Sequence, residues 1–381
     1  MTNSGKTLTQ QTQELANTYL DPIVELTREL TQIGAPTFEE AERAQRLAEV
    51  YTEFGYADVH IDDISNVTAR IPGKDRSKAL LVAAHIDTVF HEGTDLSIRS
   101  EGDTLHAPGI GDNTVAVASV AHLKKAFDEL GITPEIDILV TGNVGEEGLG
   151  DLRGIKAVIE ANKDIVGALA IEGQWLGRIT NVAVGSRRYK VTVTAPGGHS
   201  WGDAGAPSAI HHLARLVAKM DDIPLTEEPK TSFNAGVFHG GVSVNTIAPE
   251  AYAILDMRSY DPEALAALVT AVDGILASET PEGVTLDIEG VGDRPAGSYP
   301  NDGVLMTIVS DVLQELGFEP TMDAASTDAN IPLSMGLPAL CIGITRGANL
   351  HREDEYIEVS PIVPGFGQLL SVTIQAAGAL A

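Results

Sequence analysis

The sequence predicts an α/β protein: a mixed, mostly parallel sheet flanked by helices, with a smaller α+β layer inserted into it. Three observations predict this. Short apolar runs at 79–84, 136–140, 166–171 and 338–342 stop at Gly or polar residues and alternate with segments of helical period. From about Arg187 the strands alternate polar and apolar residues, the mark of a sheet with one wet face. After Arg294 the first texture returns. The chain therefore divides into 1–185 and 294–381, the two parts of a main domain, and 186–293, an inserted domain.

Each element has its own justification. Leu15, Tyr19, Ile23, Leu26 and Leu30 recur at three- and four-residue spacing, and 39–54 repeats the pattern after the Gly34-Ala35-Pro36 break, so 12–54 reads as helices. Strands follow at 58–61, 67–71 and 79–84, the last apolar throughout, as a strand covered on both faces should be. A single long helix is expected over 113–130, then strand 136–140, a helix near 154–162 and strand 166–171. In the insertion, strands at 189–194, 233–238, 251–257 and 284–288 enclose helices at 207–220 and 262–278. That β-α-β-β-α-β order suits a ferredoxin-like layer. A helix at 301–316, a turn-rich 323–332, strand 338–342 and a helix from about 361 to 379 complete the main domain.

With 381 residues, 43% of them hydrophobic, the chain can bury substantial cores. Its net charge of −29 is spread along the sequence, which argues against nucleic acid or an anionic membrane as partner. Cys341 is the single cysteine, so an intramolecular disulfide and a cysteine-built zinc site are both excluded. The first twenty residues are polar and no stretch reads as long enough to span a bilayer, so a cytoplasmic location is expected.

The chemistry gathers at strand ends. His85 and Asp87 close the run 79–84, and a carboxylate two residues away can fix the tautomer of a metal-bound histidine. Asp112 lies in the glycine-flanked GIGDN just before a helix, where taken alone capping is the more ordinary use for it or for Asn113. Glu146 and Glu147 follow the strand 136–140 as a repelling pair, Glu172 ends the strand 166–171, and His351 sits in a polar loop. In an open parallel sheet these ends share one crevice. Two imidazoles with three carboxylates (His85, Asp112, Glu147, Glu172, His351) form the donor set of a Zn²⁺, Mn²⁺ or Co²⁺ pair. One carboxylate must then bridge, with Asp112 the choice, and Glu146 is left beside a ligand as a base.

At these motifs the chain resembles the M20 family of di-zinc metallopeptidases and amidohydrolases, which includes tripeptidase T, carboxypeptidase G-type enzymes, aminoacylases and deacylases. The resemblance runs from HID through GIGDN, GEEG and IEG to NLH, nearly the whole length. It implies a zinc-exopeptidase-like main domain whose insertion is a lid and dimerisation domain. It implies two Zn²⁺ per subunit, with Co²⁺ or Mn²⁺ as substitutes. His85, Asp112 and Glu172 would hold one ion and Asp112, Glu147 and His351 the other. Asp87 is implied behind His85, Glu146 as general base, and a cis peptide bond between Asp112 and Asn113. His199 of GGHS would reach the active site of the partner in a homodimer, although a histidine after two glycines is also an ordinary turn residue. Asn245 of SVNTIAP and Arg258 of DMRS match positions that hold a substrate carboxylate, and for Arg258 a structural ion pair is the competing use. The wording HIDTVF, EEGLGDLRG, GGHSWGD and NLHREDEYIEV is tripeptidase-like. Glu172, however, is the ligand common in carboxypeptidase and deacylase relatives, and Thr114-Val115 replaces the basic or glycine-rich run of many members. The expected substrate is thus a short peptide cut as by a tripeptide aminopeptidase. A carboxypeptidase or N-acyl-amino-acid amidohydrolase activity is the alternative, and a non-catalytic acidic dimeric binding protein the remote one.

Overall fold

A computed structural model describes residues 6–278 and 280–381. The chain forms two compact units, one running to Ala183 and resuming at Ser298, the other spanning Val184–Gly297.

The larger unit is built on a sheet whose strands lie in the order Ala57–Ile61, Val67–Ile71, Ile136–Asn143, Asp75–His85, Ile165–Glu172, Ala339–Gly343, Arg178–Ala183. The four strands from Ile136–Asn143 to Ala339–Gly343 are mutually parallel, and antiparallel strands flank them. Both faces are covered, as the apolar runs require. Leu80, Val82 and Ala84 point into one core while Ala79, Leu81 and Ala83 point into another. The parallel strands end almost level: His85 pairs with Asn143, and Glu172 with Gly343. The C-terminal rim of the sheet is therefore one continuous platform.

The first core carries most of the helices. Leu8–Thr31 opens with a capping box in which the Thr7 side chain accepts the Gln10 N–H and the Gln10 side chain accepts that of Thr7. Its buried face packs on Ile362–Ala379, with the Tyr19 and Phe366 rings 5.1 Å apart. That last helix corrects one expectation. Its 18 residues and mean hydropathy of 1.2 would suffice to cross a membrane, but 67% of it is buried inside the fold. It is a core helix, apolar because it is surrounded by protein.

The expected helix over 113–130 is three pieces: a turn at Ile110–Thr114, then Val115–Ala121 and Leu123–Leu130. The break has a local cause. The His122 Nδ1–H donates to the Ala118 carbonyl at 2.8 Å, while the His122 backbone N–H turns to Ser119 O at 3.2 Å. The sequence reading also omits Arg178–Ala183 and Thr321–Ala325, which pair in parallel, and the helix Asn330–Ser334. A further small sheet of Arg99–Glu101, Thr104–His106, Tyr356–Glu358 and Gly347–Ala348 went unforeseen as well. Where the chain leaves and re-enters this unit it closes on itself. Tyr299 N–H donates to Asn181 O, and Asn181 Nδ2 donates to Tyr299 O, both at 2.8 Å.

In the second unit, Gly185–Thr194, Thr231–Gly240, Glu250–Ser259 and Thr285–Arg294 form an antiparallel sheet. Across the sheet from the Thr285–Arg294 edge, the strands are the fourth, first, third and second of these in the chain. Helices Ala209–Asp221 and Pro262–Leu276 cover the apolar face, where Val191, Leu213, Leu255, Leu268 and Val272 are buried together. Asp261 caps the second helix by accepting the Ala264 N–H at 2.8 Å, with Pro262 in its first turn.

Candidate metal centre and active site

The sheet rim and the loops beyond it supply the candidate ligands. His85 is the final residue of Asp75–His85, Glu172 that of Ile165–Glu172, and Glu147 follows Ile136–Asn143. His85 Nε2 lies 3.1 Å from Asp112 Oδ1 and 3.9 Å from Glu172 Oε2. The other oxygen of the same aspartate, Oδ2, is 3.1 Å from His351 Nε2, which is 3.1 Å from Glu147 Oε1. Asp112 thus turns one oxygen to each of two clusters, His85–Asp112–Glu172 and Asp112–Glu147–His351, and the ligand atoms within each lie within 4.8 Å of one another. The peptide bond from Asp112 to Asn113 is cis, and Asn113 Nδ2 donates to Ile171 O at 2.7 Å.

Charge follows this geometry. Burial opposes ionisation of Glu172, and Asp112, Asp328 and Glu147 add negative potential, so its carboxyl is pushed up to about 8 although His85 pulls it down. Burial likewise raises Glu147. Burial works against the charged form of His85, but Asp112, Asp87 and Glu172 outweigh it and hold its pKa well above the ordinary value. Asp112 and Glu147 raise His351 to about 10. Buried carboxylates this close repel one another, and divalent cations between them and the two imidazoles would relieve that repulsion. The donor set, nitrogen from two histidines and oxygen from three acids, fits a pair of borderline divalent ions.

Asp87 has a wider role than the sequence suggests. The strand has ended before it, and His85 Nδ1–H donates to the Asp87 backbone oxygen at 3.1 Å, with the carboxylate at 3.6 Å. The carboxylate instead accepts the backbone N–H groups of Glu146 and Glu147, each at 3.0 Å, and the Thr37 hydroxyl at 2.9 Å. These donors and His85 keep it ionised against the cost of burial. The Glu146–Glu147 turn is braced from its other side as well. Arg153 packs against Gly145, where any Cβ would come within 2.7 Å of it, and Arg153 Nη2 is bound by the buried Glu40 at 2.6 and 2.8 Å.

The structure adds a residue the sequence reading passed over. Glu355 is fully buried, and its carboxylate accepts the N–H groups of Gly109 (3.1 Å), Gly111 (2.7 Å) and Asp112 (2.8 Å). Burial and Asp112 push this carboxyl up to about 8 despite the three donors. Glu355 stands in the charged run Arg352-Glu-Asp-Glu355, which reads as solvated loop; the only signal was the short apolar alternation that follows it.

His199, Asn245 and Arg258 belong to the second unit. His199 Nδ1 accepts the backbone N–H groups of Trp201 and Gly202, both at 3.2 Å, so a neutral ring carries its proton on Nε2. Asn245 adjoins it: Ser200 N–H donates to Asn245 O at 3.0 Å, and Gly198–His199 pairs with Thr246–Ile247. Arg258 Nε donates to Asp256 at 2.6 Å, and Arg188 Nε takes the other oxygen of that carboxylate at 2.9 Å.

Known proteins resemble this chain in sequence and in fold. The sequence model of peptidase family M20/M25/M40 matches residues 81–373. YqjE of Bacillus subtilis is 22% identical over 372 residues, 92% of this chain and 96% of that protein. A tripeptidase from Staphylococcus aureus superposes with a TM-score of 0.79 at 20% identity, covering 94% of this chain and 99% of its own. YXEP of Bacillus subtilis, described as a dinuclear metal binding peptidase, superposes with a TM-score of 0.68 at 15% identity, covering 95% and 99%. At these identities the structural likenesses speak for the fold.

Proposed function

The chain belongs to peptidase family M20/M25/M40, and we propose that within it this hydrolase of peptide or amide bonds cleaves short peptides in the manner of a tripeptide aminopeptidase. The observation that carries the reading is the sharing of Asp112 between two histidine–acid clusters, with Glu146 next to the ligand Glu147. His85, Asp112 and Glu172 would hold one divalent cation and Asp112, Glu147 and His351 a second, with zinc our choice of ion. When bound, such a pair supplies Lewis acidity and makes water acidic enough to ionise near neutral pH.

The residues of the chain do the rest. Asp87 fixes the Glu146–Glu147 backbone, so the two neighbouring side chains keep separate tasks. Glu147 faces His351, and Glu146 takes a proton from the attacking water and returns it to the leaving amine. His199, contributed by a second copy of the chain, donates from Nε2 to the oxyanion that develops at the carbonyl. Asn245 and Arg258 hold the polar end of the substrate, with Asp256 orienting the guanidinium.

The acid-rich centre favours a free α-amine, whereas Arg258 favours a free carboxylate, so carboxypeptidase or N-acyl-amino-acid hydrolase activity is the second reading. Ala-Ala-Ala, benzyloxycarbonyl-Ala-Ala and N-acetyl-Ala, assayed side by side with zinc-loaded protein, separate the two. Preferred cleavage of Ala-Ala-Ala supports the first reading; cleavage of only the blocked substrates replaces it with the second.

A further inference from the structure

We infer that Glu355 is the positioning residue for Asp112, and that its carboxylate sets the affinity of the site for the second cation, the one held by Asp112, Glu147 and His351. The inference rests on the two-cation reading above. Three observations carry it.

The loop that presents Asp112 is irregular. Asp112 has φ −117° and ψ 89°, so the N–H groups from Gly109 to Asp112 stand outside any regular helix or sheet. Buried N–H groups need acceptors, and the Glu355 carboxylate provides them for Gly109, Gly111 and Asp112 together. The fit is close, since a Cβ on Gly111 would come within 2.9 Å of Glu355 Oε1.

Glu355 is delivered to that loop by backbone pairing. Tyr356 faces His106 across the small sheet, and Ala107 N–H donates to Glu355 O at 3.1 Å. The carboxylate therefore binds main chain more than 240 residues away in sequence.

The loop that holds this brace also holds a ligand. His351 lies four residues before Glu355, and its Nε2 meets Asp112 Oδ2 at 3.1 Å. One short segment thus supplies His351 and fixes the aspartate that His351 must meet. The first cluster keeps His85 and Glu172 on rigid strand ends whatever this loop does. The second depends on His351 and Asp112 being held in register.

Glu355→Gln keeps the size of the side chain and replaces one acceptor oxygen with an NH₂ group, which faces an N–H instead of receiving it. The test is titration of metal-free full-length protein with Co²⁺, followed by its visible absorption, together with metal content after dialysis against fixed free Zn²⁺. Wild type should hold two ions per chain. E355Q should hold the second about 10- to 100-fold more weakly, and the first, which keeps His85 and Glu172 on the strand ends, should weaken by much less. Its kcat should fall at low metal and recover as metal is added, with KM unchanged. Circular dichroism checks that the variant is folded. If it is not, Glu355→Asp, which keeps the charge one methylene short, should show the same selective weakening. Two ions bound with wild-type affinities would overturn the inference, and so would equal weakening of both, which marks a general structural role. Fewer than two ions in wild type overturns the two-cation reading itself.

Discussion

Asp87 Oδ2 accepts the backbone N–H of Glu147 at 3.0 Å, so the carboxylate behind one candidate ligand also holds the main chain of another. Asp87→Ala removes the acceptor for two buried N–H groups at once. Each orphaned donor costs about 1–3 kcal/mol. The variant should unfold at lower temperature and bind metal about 10- to 100-fold more weakly. Thermal unfolding and metal analysis check this, and wild-type values in both would leave Asp87 without the role given to it.

Glu146→Gln should separate chemistry from binding. The proposed base is absent from both ligand clusters, so the variant should keep its full metal content. Loss of a general base lowers kcat by about 10²- to 10⁴-fold. Glu147→Gln should instead lose metal. Steady-state kinetics beside metal analysis decides, and an active E146Q would remove Glu146 from the mechanism.

Metal should stabilise the folded chain. Binding to the native state alone adds about 4 kcal/mol when free ion exceeds its dissociation constant a thousandfold. Chelation should therefore lower the melting temperature, and zinc should restore it. A midpoint insensitive to both treatments would argue against ions at the buried clusters.

His122 gives stability a pH dependence through its own burial. Burial is the main cause that lowers its pKa from 6.5 to about 4, and the residue is only 2% exposed. Between pH 6.5 and pH 4 the unfolded chain binds a proton that the native chain refuses, so this contribution is complete above pH 6.5 and lost as pH falls. At 1.36 kcal/mol per pH unit the loss reaches about 3 kcal/mol. Urea unfolding at pH 7 and pH 4.5 should show it, and His122→Gln should flatten the dependence. An unchanged slope in that variant would assign the effect elsewhere.

Arg258→Ala tests substrate polarity. An interaction with a charged group is worth about 1.5–3 kcal/mol, so KM for peptides with a free C-terminal carboxylate should rise roughly 10- to 100-fold. Peptides amidated at that end should be unaffected. Equal effects on both would leave Arg258 with its structural pair, Asp256.

The legibility of this chain in its sequence follows from periodicity. Strands buried on both faces, such as the one ending at His85, announce themselves as apolar runs, and the candidate ligands at their ends are legible with them. Arg178–Ala183 could not, because its buried and half-buried residues follow no two-residue rhythm. The break at His122 depends on a side chain competing for a carbonyl, which composition does not encode. Glu355 looked like its neighbours Glu353 and Asp354 because burial of one acid in a charged run is decided by distant backbone. For Asp87 the sequence points to a ring partner, yet its carboxylate also holds amides some sixty residues on.

The paired hydrogen bonds between Asn181 and Tyr299 make the insertion separable in principle. The chain departs from the larger unit and rejoins it at a seam already stitched by one backbone bond and one from the Asn181 side chain, so the intervening segment is topologically a cassette. A gene design that deletes 184–297 and joins the flanks by a few glycines should keep the sheet rim and every candidate metal ligand, while discarding His199, Asn245 and Arg258. Nature could use the same seam to exchange recognition modules without rebuilding the metal-binding scaffold.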